Sequence, residues 1–458
     1  MSVFILTSLV CLLDGYLLLF IGFNQSIFMK EWSWKSVHLE ALNVIFHIIT
    51  AVGGIFSAFS TNSTNLKGLN WNIIFTSVSL LFSVFLIHSK SFVLYSGALS
   101  LICFTNGHIF NIGTNMIIYK FSPKTRAFIF SIVLFFNQFG KFVFATIIYK
   151  FNNILLSGEL KITIFPIIIL LLLKLVLNIF VVSLIINKIK LKTQMKTEEE
   201  CFEKVVHSKV DEISLSYHLE SKSKKIILQD SGQSIIVLGD KIQIQSFKNV
   251  ICSQIYELFT NQNNKEHSFK LAILNISLGI QFFSMINVFP HLSNSVYFFS
   301  NLVDEIFFSK LIHTILLSLL PFLLLLEGAK SKRILYVCFS FNLALNFFII
   351  FRIFNVILMV HAFRFLWNVS FISIDLYTAE AINRKYRNIN TSLMYFLFKI
   401  SCLIEIMTID YLISISIYIP IVFNIIVLVL DILITYSLEC EPHFLSLEEI
   451  EGYFSKKS

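Results

Sequence analysis

The 458-residue chain is 56% hydrophobic and 14% charged, and its mean hydropathy is +0.77. These values lie outside the range of soluble globular proteins and predict a polytopic membrane protein. The formal net charge of +8 lies in short loops between apolar segments, which is typical of membrane topology rather than of nucleic-acid binding. The seven Cys residues lack the paired spacing of disulfide or zinc sites, so we expect neither.

Apolar stretches of about 20 residues, the length of a membrane-spanning helix, occur twelve times along the chain. They lie near residues 3–28, 38–60, 70–88, 92–119, 127–150, 160–187, 269–289, 304–326, 334–351, 355–379, 389–411 and 413–437. No basic region precedes the first stretch, which is long enough to span, so it is not expected to be a cleavable signal peptide.

A polar segment between the sixth and seventh stretches divides the chain into four predicted parts. These are a six-helix bundle over 1–187, a cytosolic linker with short amphipathic helices over 188–267, a second bundle over 268–437 and a cytosolic tail over 438–458.

Basic residues concentrate in alternate loops, which predicts that both termini and the linker are cytosolic. The densest clusters comprise Lys120, Lys124, Arg126, Lys330, Lys332, Arg333, Arg384, Lys385 and Arg387. We therefore expect a multi-pass protein of the plasma membrane.

The two halves resemble each other where their fourth spans end. Tyr119 and Arg126 lie in IYKFSPKTR, and Tyr377 and Arg387 lie in LYTAEAINRKYR. Equivalent positions in two six-helix halves predict a duplicated transporter with its solute site between the halves. Chance similarity of two basic loops is the alternative.

The seventh span carries a polar stripe of Gln281, Ser284 and Asn287 at positions i, i+3 and i+6. Such a stripe faces protein or a solute path, because lipid cannot satisfy amide groups. Amides supply a hydrogen-bond donor and an acceptor from one side chain, as a hydroxylated solute requires. Interhelical hydrogen bonding is the alternative.

Five stretches carry a family resemblance: Gly22-Phe23-Asn24, AVGGIFSAFS over 51–60, Gln281 to Asn287, Glu327 to Arg333, and EPHFLSLEEI over 441–450. Together they resemble the sugar porters of the major facilitator superfamily, which include facilitative glucose transporters. The resemblance implies an all-α polytopic fold of twelve transmembrane helices in two pseudo-symmetric six-helix bundles. It also implies transport by alternating access.

The resemblance further implies roles for individual residues. Gln281 and Asn287 would bind sugar hydroxyls, with Ser284 and Gln138 as further contacts. Asn24 stands where proton-coupled members have Asp, which implies uniport. A latch of ion pairs between the halves is implied for Arg126, Glu327, Arg333, Glu380 and Arg387, with solvated loop charges as the alternative. The sequence departs from the family at three expected polar or aromatic positions, now Leu134, Asp375 and Phe398.

Charges inside the predicted spans leave further alternatives open. Asp14 lies in the middle of the first span, where a lone carboxylate is costly, and either couples protons or pairs with a basic residue of a neighbouring span. Arg364 and Asp375, about three turns apart on the tenth span, would favour a charged substrate. Asp375 is also a second candidate for proton coupling.

The sequence thus predicts facilitative transport of a small polyhydroxylated solute, a hexose such as glucose, by a monomeric unit in the lipid bilayer. Proton-coupled transport of a charged metabolite and a non-transporting nutrient sensor are the alternatives. No enzymatic motif, metal-ligand spacing or cofactor site is evident, so we expect no cofactor and no nucleic-acid partner.

Overall fold

A computed structural model describes residues 2–23, 28–29, 32–60, 65–83, 90–155, 163–188, 256, 258, 262–292, 302–319, 331–351, 356–382 and 386–438. The described residues contain twelve helices longer than two turns. They are α1 (Ser2–Phe23), α2 (Ser36–Ser60), α3 (Asn65–Phe82), α4 (Phe92–Lys120), α5 (Pro123–Leu155), α6 (Thr163–Lys188), α7 (Gln262–Leu292), α8 (Leu302–Ser318), α9 (Ser331–Phe351), α10 (Val356–Glu380), α11 (Arg387–Ile415) and α12 (Tyr418–Ser437).

Eight of these helices, α1, α2, α4, α5, α6, α9, α11 and α12, are long and apolar enough to cross a membrane. Two others contain shorter apolar helices, Gly68–Phe82 in α3 and Phe307–Ser318 in α8. Large apolar side chains such as Leu172, Phe180 and Ile426 are exposed, as expected for surfaces that face lipid. The predicted tail, and almost all of the predicted linker, lie outside the described residues, and α7 begins within the segment predicted as linker.

The described residues within 1–181 and 254–458 form one compact unit. Within it, each set of six helices has its own apolar core, one around Tyr16 and Phe144 and one around Phe339 and Phe363. A pair of helices in the first half packs like the pair six places later in the second half. Thus α1 packs on α5 as α7 packs on α11, and α3 packs on α4 as α9 packs on α10. This repetition is the packing that a duplicated chain would produce.

Glycines bring α1 and α5 into backbone contact. A Cβ on Gly15 would lie 1.8 Å from the carbonyl oxygen of Asn137, and one on Gly140 would lie 2.0 Å from that of Leu12. Small residues permit such close approach between helices in membranes, where packing rather than the hydrophobic effect drives association. The contact fixes the rotation of α5 and places its polar residues beside Asp14.

The two halves meet along two seams, α2 with α11 and α5 with α8. On the first seam the hydroxyls of Ser57 and Ser392 lie 3.2 Å apart. On the second, the rings of Tyr149 and Phe307 stack with centroids 4.6 Å apart. The space left between the seams holds the candidate site.

Candidate functional site

A cavity lies between the halves. Four helices of the first half line it, α1, α2, α4 and α5, and so do their counterparts six places later, α7, α8, α10 and α11. A cavity shared in this symmetrical way changes shape whenever one half moves against the other.

An amide pair crosses the cavity between the halves. The Nε2 atom of Gln138 on α5 donates to Oδ1 of Asn368 on α10 over 3.3 Å. The Nδ2 atom of Asn368 donates to the carbonyl oxygen of Arg364 over 2.6 Å, which fixes the orientation of this amide. The bond between Gln138 and Asn368 is long, and both side chains line the cavity, so hydroxyl groups of a solute can replace it.

A second link between the halves joins Asp14 to Lys399. The Oδ2 atom of Asp14 on α1 lies 4.0 Å from Nζ of Lys399 on α11 and accepts a 3.4 Å hydrogen bond from Asn137. The ammonium of Lys399 also lies over the ring of Tyr395, 5.5 Å from its centroid. Asp14 therefore has the basic partner in a neighbouring span that the sequence left as one alternative.

Aromatic rings form one wall of the cavity. Trp367 stacks on Phe371 with centroids 5.4 Å apart, and its indole donates to the carbonyl oxygen of Leu278 over 3.1 Å. Phe282 lies 4.7 Å from Trp367, and Phe398 closes the same wall. A rigid aromatic face with a few polar groups opposite is typical of sites for small molecules.

Gln281 does not line the cavity. Its side chain is fully buried, and Nε2 donates to Oδ2 of Asp431 on α12 over 2.6 Å. This is the interhelical hydrogen bond that the sequence left as the alternative, and the next residue, Phe282, faces the cavity instead. Ser284 and Asn287 lie on α7, but their side chains are not among the described parts of the structure. Asn24, which follows the end of α1, lies outside the described residues altogether.

Three of the five predicted latch residues meet at the end of the bundle where α4 and α10 terminate, which we call the latch end. Nη1 of Arg126 lies 3.3 Å from Oε1 of Glu380, and the two side chains are 5% and 1% exposed. The guanidinium of Arg387 is fully buried and lies over the ring of Tyr119, 5.3 Å from its centroid. Arg333 is exposed on α9, and Glu327 lies outside the described residues.

Asp375 is partly buried on α10, next to the cavity rather than in its lining. Its Oδ2 atom has no hydrogen-bond partner among the described residues, and Lys399 lies within electrostatic range of its carboxyl group. A role in proton coupling stays a prediction.

Lys141, Trp367 and Asn368 are among the cavity residues that the sequence did not single out. One signal for Lys141 was present, because it follows Asn137 and Gln138 by four and three residues and so shares their face of α5. A similar signal was present for Asn368, which follows Arg364 by one turn and so shares its face of α10. Trp367 had no signal beyond its residue type.

No family model matches the sequence, and neither does any curated protein. Solved structures do match. The proton:xylose symporter XylE, bound to 6-bromo-6-deoxy-D-glucose, superposes with a TM-score of 0.65 at 12% identity, over 99% of this chain and 98% of that one. The transporter FucP in its outward conformation gives 0.61 at 9% identity, over 95% and 99%.

Both solved structures are transporters of the major facilitator superfamily. At these identities the likeness shows the fold, and the matches cover 99% and 95% of this chain. The prediction of an all-α polytopic fold is confirmed: the chain has the twelve-helix fold of the major facilitator superfamily, like that of its sugar transporters.

Proposed function

We propose that the protein transports a small polyhydroxylated solute, a hexose such as glucose, across the plasma membrane by alternating access. The observation that carries this proposal is the amide pair of Gln138 and Asn368, contributed by opposite halves to one central cavity. The likeness to XylE, a proton:xylose symporter bound to a glucose derivative, supports a sugar as the solute.

The amide pair supplies a mechanism by which the solute acts on the halves. A solute whose hydroxyls bind both amides replaces one long hydrogen bond with contacts to each half. Its affinity then depends on the spacing between the halves, and a ligand shifts a conformational equilibrium by its difference in affinity for the two states. Solute bound in the cavity therefore favours the state in which the amides are best spaced.

The latch sets the barrier to exit at one end. Arg126 and Glu380 come from α5 and α10, one in each half, so the ion pair must break before the halves separate there. The contact between Ser57 and Ser392 must separate as well. In the predicted topology this is the cytosolic end, so the described state is closed towards the cytosol.

The ion pair in the cavity supports uniport. Lys399 already compensates Asp14, so the Asp14 carboxylate needs no proton to reside within the membrane. Asn24, at the position where proton-coupled sugar porters have Asp, also favours transport without a coupled ion.

Uptake of radiolabelled glucose into proteoliposomes tests the proposal. We expect saturable uptake, and Gln138→Ala should raise KM about tenfold, the effect of losing roughly one hydrogen bond to the solute. Asn70→Ala, which removes an exposed amide on α3, is the matched control. Binding without flux would instead favour the non-transporting sensor, and unchanged KM in Gln138→Ala would contradict the assigned site.

A further inference from the structure

Lys141 is a buried cation in the wall of the cavity. It lies on the same face of α5 as Gln138, one turn further along, and its side chain is 7% exposed. Its Nζ atom lies over the ring of Phe282, 5.8 Å from the centroid. A cation–π contact at this distance stabilises an ammonium group only weakly compared with the loss of its hydration.

No carboxylate among the described residues forms an ion pair with Lys141, and Asp14 acts on it only at longer range. Asp14 is the one carboxylate in the described lining, and it is paired with Lys399. The other described charges within electrostatic range are cationic: Lys399 on α11 and Arg364 on α10 act on Lys141, and Lys141 acts on Lys310 on α8. The described charges that interact with Lys141 are therefore mostly positive.

A neutral sugar gives no physical reason for this arrangement. Amides satisfy hydroxyl groups without a charge, whereas a buried ammonium group without an ion pair is expensive inside a membrane protein and usually marks a functional site. A bound anion would compensate it through a charge-assisted hydrogen bond. Lys141 lies about 5 Å along α5 from Gln138, a separation that one sugar molecule spans.

We propose that the transported solute carries an anionic group, a carboxylate or a phosphate, which Lys141 binds while the hydroxyls bind Gln138 and Asn368. The solute is then an acidic sugar of hexose size. This inference rests on the proposed transport of a polyhydroxylated solute through the same cavity.

Binding to the purified full-length protein tests the inference without requiring flux. Trp367 lines the cavity and is one of four Trp residues, so ligand titrations can be followed by tryptophan fluorescence, with Trp367→Phe to identify its signal. The ligands are glucose, glucuronate and glucose 6-phosphate. We expect at least one acidic sugar to bind about tenfold or more tightly than glucose, and the two acids separate a carboxylate from a phosphate preference.

Substitutions of Lys141 identify the group responsible. Lys141→Gln should reduce the preference for the acidic sugar about tenfold, and Lys141→Arg should retain most of it, because arginine keeps the charge. Lys150→Gln, which removes an exposed lysine from the same helix, should retain all of it. Equal preference in wild type and Lys141→Gln would overturn the inference, and so would tighter binding of glucose than of both acids.

Uptake of the same three solutes separates this inference from the proposed function. Uptake of glucose alone would support transport and overturn the anionic solute. Binding of an acidic sugar without uptake of any solute would support the inference and contradict transport. Failure of all three to bind would overturn the inference.

Discussion

Neutralising Glu380 should open the latch end. Glu380→Gln leaves the Arg126 guanidinium buried without its carboxylate, and breaking a buried ion pair in this way costs about 3–5 kcal/mol. Only states closed at the latch end lose this energy. Taking about 3 kcal/mol, the equilibrium between closed and open states should shift by roughly 100-fold towards the open state.

Chemical labelling at the adjacent seam measures this shift. Ser392 is 2% exposed and contacts Ser57 across the seam. A Ser392→Cys substitution, in a protein whose seven native Cys are replaced, reports opening as the rate of alkylation. With Glu380→Gln we expect this rate to rise up to about 100-fold, until the open state predominates.

Two comparisons make the result specific. Glu266→Gln removes an exposed pair with Lys270 on α7, which should contribute less than about 0.5 kcal/mol, and should leave the labelling rate unchanged. Arg126→Gln combined with Glu380→Gln should change the rate less than the product of the single effects, because the two residues act on each other. An unchanged rate in Glu380→Gln, or multiplicative effects in the double variant, would refute the latch.

Three further predictions concern packing, the buried amide and coupling. Gly140→Val should lower the melting temperature of the purified protein, because the valine side chain would meet the backbone of α1. Gly97→Val is the control, since a Cβ at Gly97 meets nothing within 4 Å. Equal melting temperatures of the two variants would contradict the contact. Gln281→Ala should lower the melting temperature and leave KM nearly unchanged, since it leaves the buried Asp431 without this hydrogen-bond donor. A raised KM with an unchanged melting temperature would instead indicate that Gln281 contacts the solute directly. Under an imposed pH gradient, proteoliposomes should accumulate solute no higher than its external concentration, whereas accumulation that Asp14→Asn abolishes would show proton coupling.

The helices were largely predictable from the sequence because hydropathy records the membrane directly. Each of the twelve apolar stretches corresponds to a helix, although the ends differ by several residues: the fifth was predicted over 127–150 and is Pro123–Leu155. Polar residues at the ends of α5 extend this helix beyond the apolar window, so hydropathy underestimates its length.

The site was only partly predictable, because a polar stripe shows that a helix needs polar partners and does not say which ones. Gln281 found its partner in Asp431, a residue on α12 whose rotation the sequence leaves undetermined. Gln138, by contrast, does face the cavity, and the close contact at Gly15 and Gly140 is what turns α5 that way.

The aromatic wall illustrates the same limit. Asp375 stands where the family resemblance implies a Trp, yet Trp367 supplies an indole to the cavity from two turns earlier on the same helix. Comparison by sequence position alone records a loss, whereas the structure places another Trp of the same helix in the cavity. Helix faces, not positions, determine what a solute meets.

Counterflow in proteoliposomes tests the central claim of alternating access through the cavity most directly. Vesicles are loaded with unlabelled glucose or glucuronate and diluted into a trace of the labelled solute. The account predicts transient accumulation of label above its external concentration, reduced in the Gln138→Ala, Asn368→Ala double variant. Label that never exceeds its external concentration with either solute, as in vesicles without protein, would contradict it.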